Sequence, residues 1–310
     1  MRFIKELVEG DRIIIQALIG SVSQGTNKSG SPYLNVELRD SSGSLNSKKW
    51  ELDDNDKDIF VSGNIAELLI EVISFGGALQ GKILSARLLD SNQIDVTRFI
   101  KNPPIPKEEL MDRFYKLVNS IEDKDCKAIL DYFIKKFGDK IFVNPAASSV
   151  HHEFSSGLLM HSVSLAEHAD YFSKYYNDIN RDLVVTGALI HDFGKMIELV
   201  GPAVFKYSVE GRLLGHISIM CGELRIAAKE LNIQSETPIL LEHIVLSHHG
   251  QYEYGSPVLP LTREALLISL IDNIDSKMLV LDKAYEGIEE GEFTQKIYPL
   301  DGRCFYKPKK

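Results

Sequence analysis

A chain of 310 residues is longer than one hydrophobic core usually serves, so two domains are expected, and its 44% hydrophobic and 25% charged residues are those of a soluble globular protein. A net charge of −9 counts against tight, salt-driven binding of nucleic acid, though not against an enzyme that meets phosphates through bound metal cations. No apolar run approaches the roughly 20 residues of a membrane helix, so no membrane partner is expected.

The chain opens on MRFIKELVEGDR, which carries acids and no long apolar core and so is not a secretory signal. DRIIIQALIGSV, PYLNVELRD, GSLNSKKWEL, AELLIEVISF and LQGKILSARLLD follow as short β-rich runs separated by Gly, Ser, Asn and Asp. In Tyr33 to Leu38 the alternation puts Leu34, Val36 and Leu38 on one face. Five such strands within residues 1–90 predict a small closed β-barrel, of which the OB-fold is the commonest case; another small barrel or a sandwich is the alternative. Residues 91–107 hold Pro103, Pro104 and Pro106 and read as a semi-rigid linker. From there the apolar period turns helical: Leu110, Phe114, Leu117, Val118 and Ile121 recur at helical spacing. Further helices are predicted near 123–137, 156–177, 181–191, 211–231, 237–248 and 262–286, with Asp123, Asn180 and Thr262 as N-caps. Residues 108–310 are therefore expected to form an all-α domain. The three cysteines, Cys126, Cys221 and Cys304, are far apart, show no CxxC spacing and fit reduced thiols in the cytoplasm.

The chemistry of the chain is lopsided, because all nine histidines lie between His151 and His249. His161 sits in SGLLMHSVSLAEHA, His216 in RLLGHISIM, and His248 and His249 close LEHIVLSHHG, all on or at the ends of apolar helices. His191 and Asp192 end the apolar run ALIHD, and Asp272 lies inside EALLISLIDNIDSKM. One histidine on an apolar helix is most often a hydrogen-bonded core residue. A lone carboxylate in that setting is costly unless it is paired or holds a cation. Imidazole with carboxylate suits divalent Mn, Fe, Co, Ni and Zn. His161, His191, Asp192 and Asp272 are enough for one ion. His216, His248 and His249 are enough for a second, with Asp192 bridging, and two such ions support in-line phosphoryl displacement.

The order His, His-Asp, His, His-His, Asp from residue 161 to residue 272 resembles the HD-domain metal-dependent phosphohydrolase superfamily. Lys195, three residues after the HD pair, reads either as a solvated lysine at a helix end or, as the resemblance implies, as a fixed positive charge facing the scissile phosphate. His151 and His152 are expected as supporting partners of the site or substrate contacts; His168 and His243 are not expected to bind metal.

NPAASSVHHEFSSGLLMHS, LIHDFGKMIELVGP, YSVEGRLLGHI, LSHHGQYEYGSPVLP, IDNIDSKM and the terminal FYKPK look like the YhaM-type bacterial 3′–5′ exoribonucleases, which pair an N-terminal OB-fold with an HD domain. The resemblance implies a nuclease that releases nucleoside 5′-monophosphates from the 3′ end of single-stranded RNA, and of DNA as a second substrate. It implies Mn²⁺ or a similar ion, with Co²⁺, Fe²⁺, Ni²⁺ and Zn²⁺ as alternatives; with two ions a shared water would be activated, Asp192 would serve catalysis as the bridge between them, and Lys195 would meet the charge growing on the phosphate. The barrel would hold the strand, with Tyr33, Trp50 and Phe75 stacking on bases and Lys48, Lys49 and Lys82 meeting phosphates. Against this, residues 1–100 hold 11 Lys and Arg and 14 Asp and Glu, a poor electrostatic funnel. A phosphohydrolase of small nucleotides, with the barrel as an oligomerisation module, and a non-catalytic nucleic-acid-binding factor are the alternatives. A cyclic-dinucleotide phosphodiesterase is disfavoured, because GQYEYGSP rather than a GYP-type signature follows His249. The oligomeric state is left open, a homo-oligomer included.

Overall fold

A computed structural model describes residues 1–27, 29–90, 94–95, 98–99, 105–144, 156–201 and 206–309. The chain divides into two compact units, residues 1–102 with 201–206, and residues 103–200 with 207–310. No described helix is long and apolar enough to cross a membrane.

In the first unit, strands β1 (Arg12–Thr26), β2 (Pro32–Asp40), β3 (Gly43–Lys49), β4 (Ile65–Phe75) and β5 (Ala78–Leu88) close into a barrel of order β1-β2-β3-β5-β4. Period-two alternation explains the inside of that barrel, since successive side chains of a strand face opposite ways. Ile15, Ala17 and Ile19 of β1, Val36 and Leu38 of β2, and Leu68, Ile70 and Val72 of β4 all point inward. Closure depends on a parallel pairing of β3 with β5, in which Ser47 stands opposite Gly81. A Cβ at Gly81 would collide with the Ser47 hydroxyl, so the two strands meet only because that side chain is absent. A short helix, α1 (Asp56–Ile59), joins β3 to β4, and Ile59 and Phe60 fill the core at its end. The barrel is the five-stranded Greek-key closure of an OB-fold.

Strand β3 stops at Lys49, three residues before the end of its β-rich run. At that end Lys49 continues the inward face of Leu45 and Ser47. Its Nζ donates to the carbonyls of Trp50 at 3.1 Å and Glu51 at 3.0 Å and lies 3.6 Å from Asp56 Oδ2. Glu51 adopts φ of 54°, which bends the chain out of the sheet. At 7% exposure Lys49 is a buried, paired cation, and the expectation that it meets a phosphate is dropped.

The second unit is helical: α2 (Lys107–Asn119), α3 (Lys124–Phe137), α4 (Gly157–Ser173), α5 (Arg181–Ile190), α6 (Lys195–Glu198), α7 (Val209–Glu230), α8 (Thr237–Ser247) and α9 (Arg263–Glu286). Among the described residues four starts are capped by side chains, one of them α7, where the Ser208 hydroxyl accepts from the Gly211 amide at 2.8 Å. Asp123 accepts from the Asp125 and Cys126 amides, Asn180 from Leu183 and Thr262 from Ala265. Helix α5 is apolar on every side, and each residue from Leu183 to Ile190 is buried, as expected of a helix in the centre of a core. It meets α8 at Gly187, where an added Cβ would come within 2.8 Å of Ile244 Cδ1. That close approach brings the C-terminal ends of α5 and α8, and the histidines that follow them, side by side.

Asp182 ties α5 to the start of α3. Its Oδ2 accepts from the Glu122 and Asp123 amides, both at 2.7 Å, and its Oδ1 from Arg181 at 2.8 Å. Burial alone would raise its pKa, but the Asp123 amide, Arg181 and the Glu122 amide outweigh burial and hold the carboxyl below the ordinary carboxylate range. Asp182→Ala is expected to cost about 1–3 kcal/mol in urea unfolding at neutral pH, because two amides lose a charged acceptor. A carboxylate with a depressed folded pKa stabilises above its unfolded value of about 3.9 and stops doing so as pH falls through the folded value. The gap between wild type and variant should therefore close only on the acid side of pH ~4.

Candidate metal centre

Two of the histidines are fixed by the ends of their own helices. The last carbonyls of a helix lack intrahelical partners. His191, one residue past α5, folds back so that Nδ1 lies 2.8 Å from the Ala188 carbonyl, and His248, one residue past α8, puts Nδ1 2.7 Å from the Val245 carbonyl. A carbonyl only accepts, so each Nδ1 carries the proton and each Nε2 presents a lone pair. Both rings are fully buried.

Those lone pairs point at Asp192, which is 2% exposed and sits between two groups of candidate ligands. Its Oδ2 lies 3.4 Å from His191 Nε2 and 3.7 Å from His161 Nε2. Its Oδ1 lies 3.3 Å from His216 Nε2 and 3.8 Å from His248 Nε2. His161 Nε2 is also 3.2 Å from His191 Nε2 and 3.3 Å from Asp272 Oδ1. His249 stacks edge-on to His248 and His216, with ring centroids at 4.1 and 5.7 Å. Within the set His161, His191, Asp192, and within the set His216, His248, His249, the potential ligand atoms all lie within 4.8 Å of one another. The seven residues come from α4, α7, α9 and the turns after α5 and α8, and all seven converge.

The donor set fits divalent cations. Asp192 Oδ1, His216 Nε2, His248 Nε2 and His249 Nδ1 are buried with no hydrogen-bond partner among the described residues. Four buried polar atoms without partners on one spot would be costly in a protein core, and a cation would satisfy those that present a lone pair. The protonation states of Asp192, His248 and His249 agree with this. Burial alone would raise the pKa of Asp192, but the Lys195 ammonium beside it does most to hold the carboxyl well below the ordinary carboxylate range. Burial pushes the pKa of His248 and His249 down, leaving them neutral. For His161 burial acts downward too, but the Asp272 and Asp275 carboxylates overcome it and raise the pKa to about 10. A proton on His161 Nε2 stands where a metal ion would otherwise be ligated.

Lys195 opens α6 and puts Nζ 2.6 Å from Asp192 Oδ2. At 18% side-chain exposure it is, with His216 at 15%, the more open part of the cluster. The preceding residue must be glycine: a Cβ on Gly194 would run into the His216 carbonyl, whose Cα is also only 3.1 Å away. Gly194→Ala is expected to push His216 out of register and lower kcat by roughly 100-fold, the usual consequence of a displacement near 1 Å, and to lower the melting temperature as well, because a backbone carbonyl has to move. Steady-state kinetics with a thermal melt checks this.

Sequence reading misses two carboxylates. Asp275 Oδ2 is 2.7 Å from His161 Nδ1, and Glu198 Oε2 is 3.4 Å from His216 Nδ1. The only signal was spacing: Asp275 is one helical turn after Asp272, and Glu198 one turn after Lys195. His151 and His152 lie outside the described residues. His243 Nε2 accepts the Leu261 amide at 2.8 Å, a structural bond, and His168 is exposed.

On the barrel, Lys48 Nζ lies over three rings, 5.0 Å from the centroid of Tyr33, 5.5 Å from Trp50 and 5.8 Å from Phe75. Tyr33 and Trp50 pack at 4.5 Å, and Phe75 is 68% exposed. Tyr33 lies across Gly25, where any Cβ would strike its ring at 2.5 Å. Lys82 is exposed and 4.0 Å from the Glu71 carboxylate. The aromatic candidates and Lys48 therefore form one cluster.

The HD domain family matches residues 158–277. The 3′–5′ exoribonuclease YhaM of Geobacillus sp. is 40% identical over 300 residues, covering 96% of this chain and 93% of the relative. That of Oceanobacillus iheyensis is 41% identical over 292 residues, 94% and 92% of the two chains. That of Bacillus pumilus is 38% identical over 300 residues, 96% of each.

Proposed function

The chain belongs to the family of the YhaM 3′–5′ exoribonucleases and is a metal-dependent exoribonuclease, and we propose that it shortens single-stranded RNA from the 3′ end, releasing one nucleoside 5′-monophosphate at a time. The observation that carries the reading is Asp192, a buried carboxylate whose two oxygens face two separate groups of neutral or neutralisable imidazoles. We assign His161, His191, Asp192 and Asp272 to one ion and His216, His248, His249 and Asp192 to a second. Manganese suits this mixture of imidazole and carboxylate. When bound, such ions supply Lewis acidity to the phosphate and lower the pKa of water toward ~7, so that it can act as a nucleophile.

The side chains of the chain do the rest. His191 and His248 hold their Nε2 atoms by bonds to their own helix ends and need no rearrangement during reaction. Lys195 stands at the more open part of the cluster, where its ammonium would offset the negative charge that grows on phosphate oxygens during in-line displacement. No protein nucleophile is required. The barrel cluster of Tyr33, Lys48, Trp50 and Phe75 gives a strand aromatic faces and one cation; exposed Lys82 adds a second. Trp50→Ala should weaken binding of a long oligonucleotide by about 1–3 kcal/mol, roughly 5–150-fold in Kd, while cleavage of a dinucleotide stays within about twofold.

The reading is tested with a 5′-labelled single-stranded RNA, its DNA counterpart and free nucleotides, each with Mn²⁺. A ladder that loses one nucleotide at a time from the 3′ side is the expected result. Internal fragments, or hydrolysis of free nucleotides with the oligomers untouched, would replace it with an endonuclease or a small-nucleotide phosphohydrolase.

A further inference from the structure

Four histidines present Nε2 to Asp192, and they are held from behind in two different ways. His191 and His248 follow a helix end and use the carbonyl three residues earlier. His161 and His216 have no such option. His161 lies inside α4, where carbonyls are spent on the helix ladder. His216 follows a break in α7, where Gly215 takes φ of 71° and turns the chain out of helical geometry. In both cases a carboxylate from another element meets Nδ1: Asp275 of α9 for His161, and Glu198 of α6 for His216.

Neither carboxylate is loose. Asp275 Oδ1 takes the Ser164 hydroxyl at 3.1 Å, one turn along α4 from His161. Glu198 Oε1 accepts the backbone N–H of His216 at 3.1 Å while its Oε2 lies 3.4 Å from the ring Nδ1, so one side chain faces both the amide and the ring of that residue. Helix α7 presses on Glu198 through Gly211, where a Cβ would lie 2.9 Å from Glu198 Cγ. Each ligand group thus has one ring tied to a helix carbonyl and one tied to a carboxylate: His191 with His161, and His248 with His216.

We propose that Asp275 and Glu198 are positioning residues, one for each ion, which fix His161 and His216 with Nε2 toward the metal and make these rings stronger donors. Carboxylate partners behind metal-bound histidines act in this way elsewhere, and their loss costs roughly 10–100-fold in metal affinity. The inference rests on the two-ion reading given above, and its test separates the two. The full chain, stripped of metal, is titrated with Mn²⁺ by calorimetry, and the metal-free melting temperature of every variant is recorded. Wild type should take up two ions. Asp275→Ala should weaken one ion by about 10–100-fold and leave the other within about threefold. Asp275→Asn, which retains an accepting oxygen without the charge, should fall between. Glu198→Ala and Glu198→Gln should repeat this pattern, and the double variant should weaken both ions. If either alanine variant binds both ions as wild type does, or if both variants weaken the same ion, the assignment is overturned while the two-ion reading stands. Loss of both ions together with the metal-free fold in the Asn and Gln variants also overturns it, since that marks a purely structural role. Fewer than two ions on wild type removes the two-ion reading itself, and the assignment with it.

Discussion

Asp192→Ala should reduce manganese-dependent hydrolysis by more than about 10³-fold, beyond the loss typical of a single transition-state contact, because the one side chain serves both ligand groups. Its oxygens reach His161 and His191 on one side and His216 and His248 on the other. Removing it leaves buried imidazole nitrogens without their shared anion and Lys195 without its partner. The fold should survive. Asp192 lies beyond the end of α5, whose packing rests on Leu183 to Ile190, and the Lys195 ammonium has a path to solvent. Asp192→Asn, which keeps the shape but not the charge, should be nearly as inactive. Retained turnover in either variant, with a normal melting curve, would mean that the reaction centre lies elsewhere.

Chelation should have an equally large effect. Treating the protein with EDTA should bring hydrolysis to the uncatalysed background, and returning Mn²⁺ should restore it. Mg²⁺ should restore far less, because it prefers oxygen ligands and keeps its waters, whereas this site offers mostly imidazole. Oligonucleotide binding to the barrel should persist through chelation, since the cluster of Lys48, Tyr33, Trp50 and Phe75 contains no ligand group of the metal centre. Full activity in the presence of chelator, or equal rescue by Mg²⁺, would contradict the ligand set.

Much of this was legible in the sequence, for identifiable reasons. The barrel strands announce themselves by alternation, and Leu34, Val36 and Leu38 do line one face of β2, with Val36 and Leu38 fully inside. Asp123, Asn180 and Thr262 cap the helices that their positions suggested. The candidate ligands stood out because Asp192 and Asp272 lie in runs too apolar to bury a carboxylate without a partner. What stayed hidden depends on contacts between elements. Alternation puts Lys49 on the inward face with Leu45 and Ser47, but nothing local says that Asp56 and two carbonyls wait there to pair it. Asp275 and Glu198 look like ordinary helical acids until α9 is set against α4 and α6 against α7. The necessity of glycine at Gly194 appears only once the His216 carbonyl is seen in the space a Cβ would fill.

The most direct test of the central claim is anomalous scattering from crystals grown with Mn²⁺. Two peaks about 3.5–4 Å apart are expected, one ligated by His161, His191 and Asp272, the other by His216, His248 and His249, with Asp192 bound to both. A single peak, or peaks that Asp192 does not share, would contradict it.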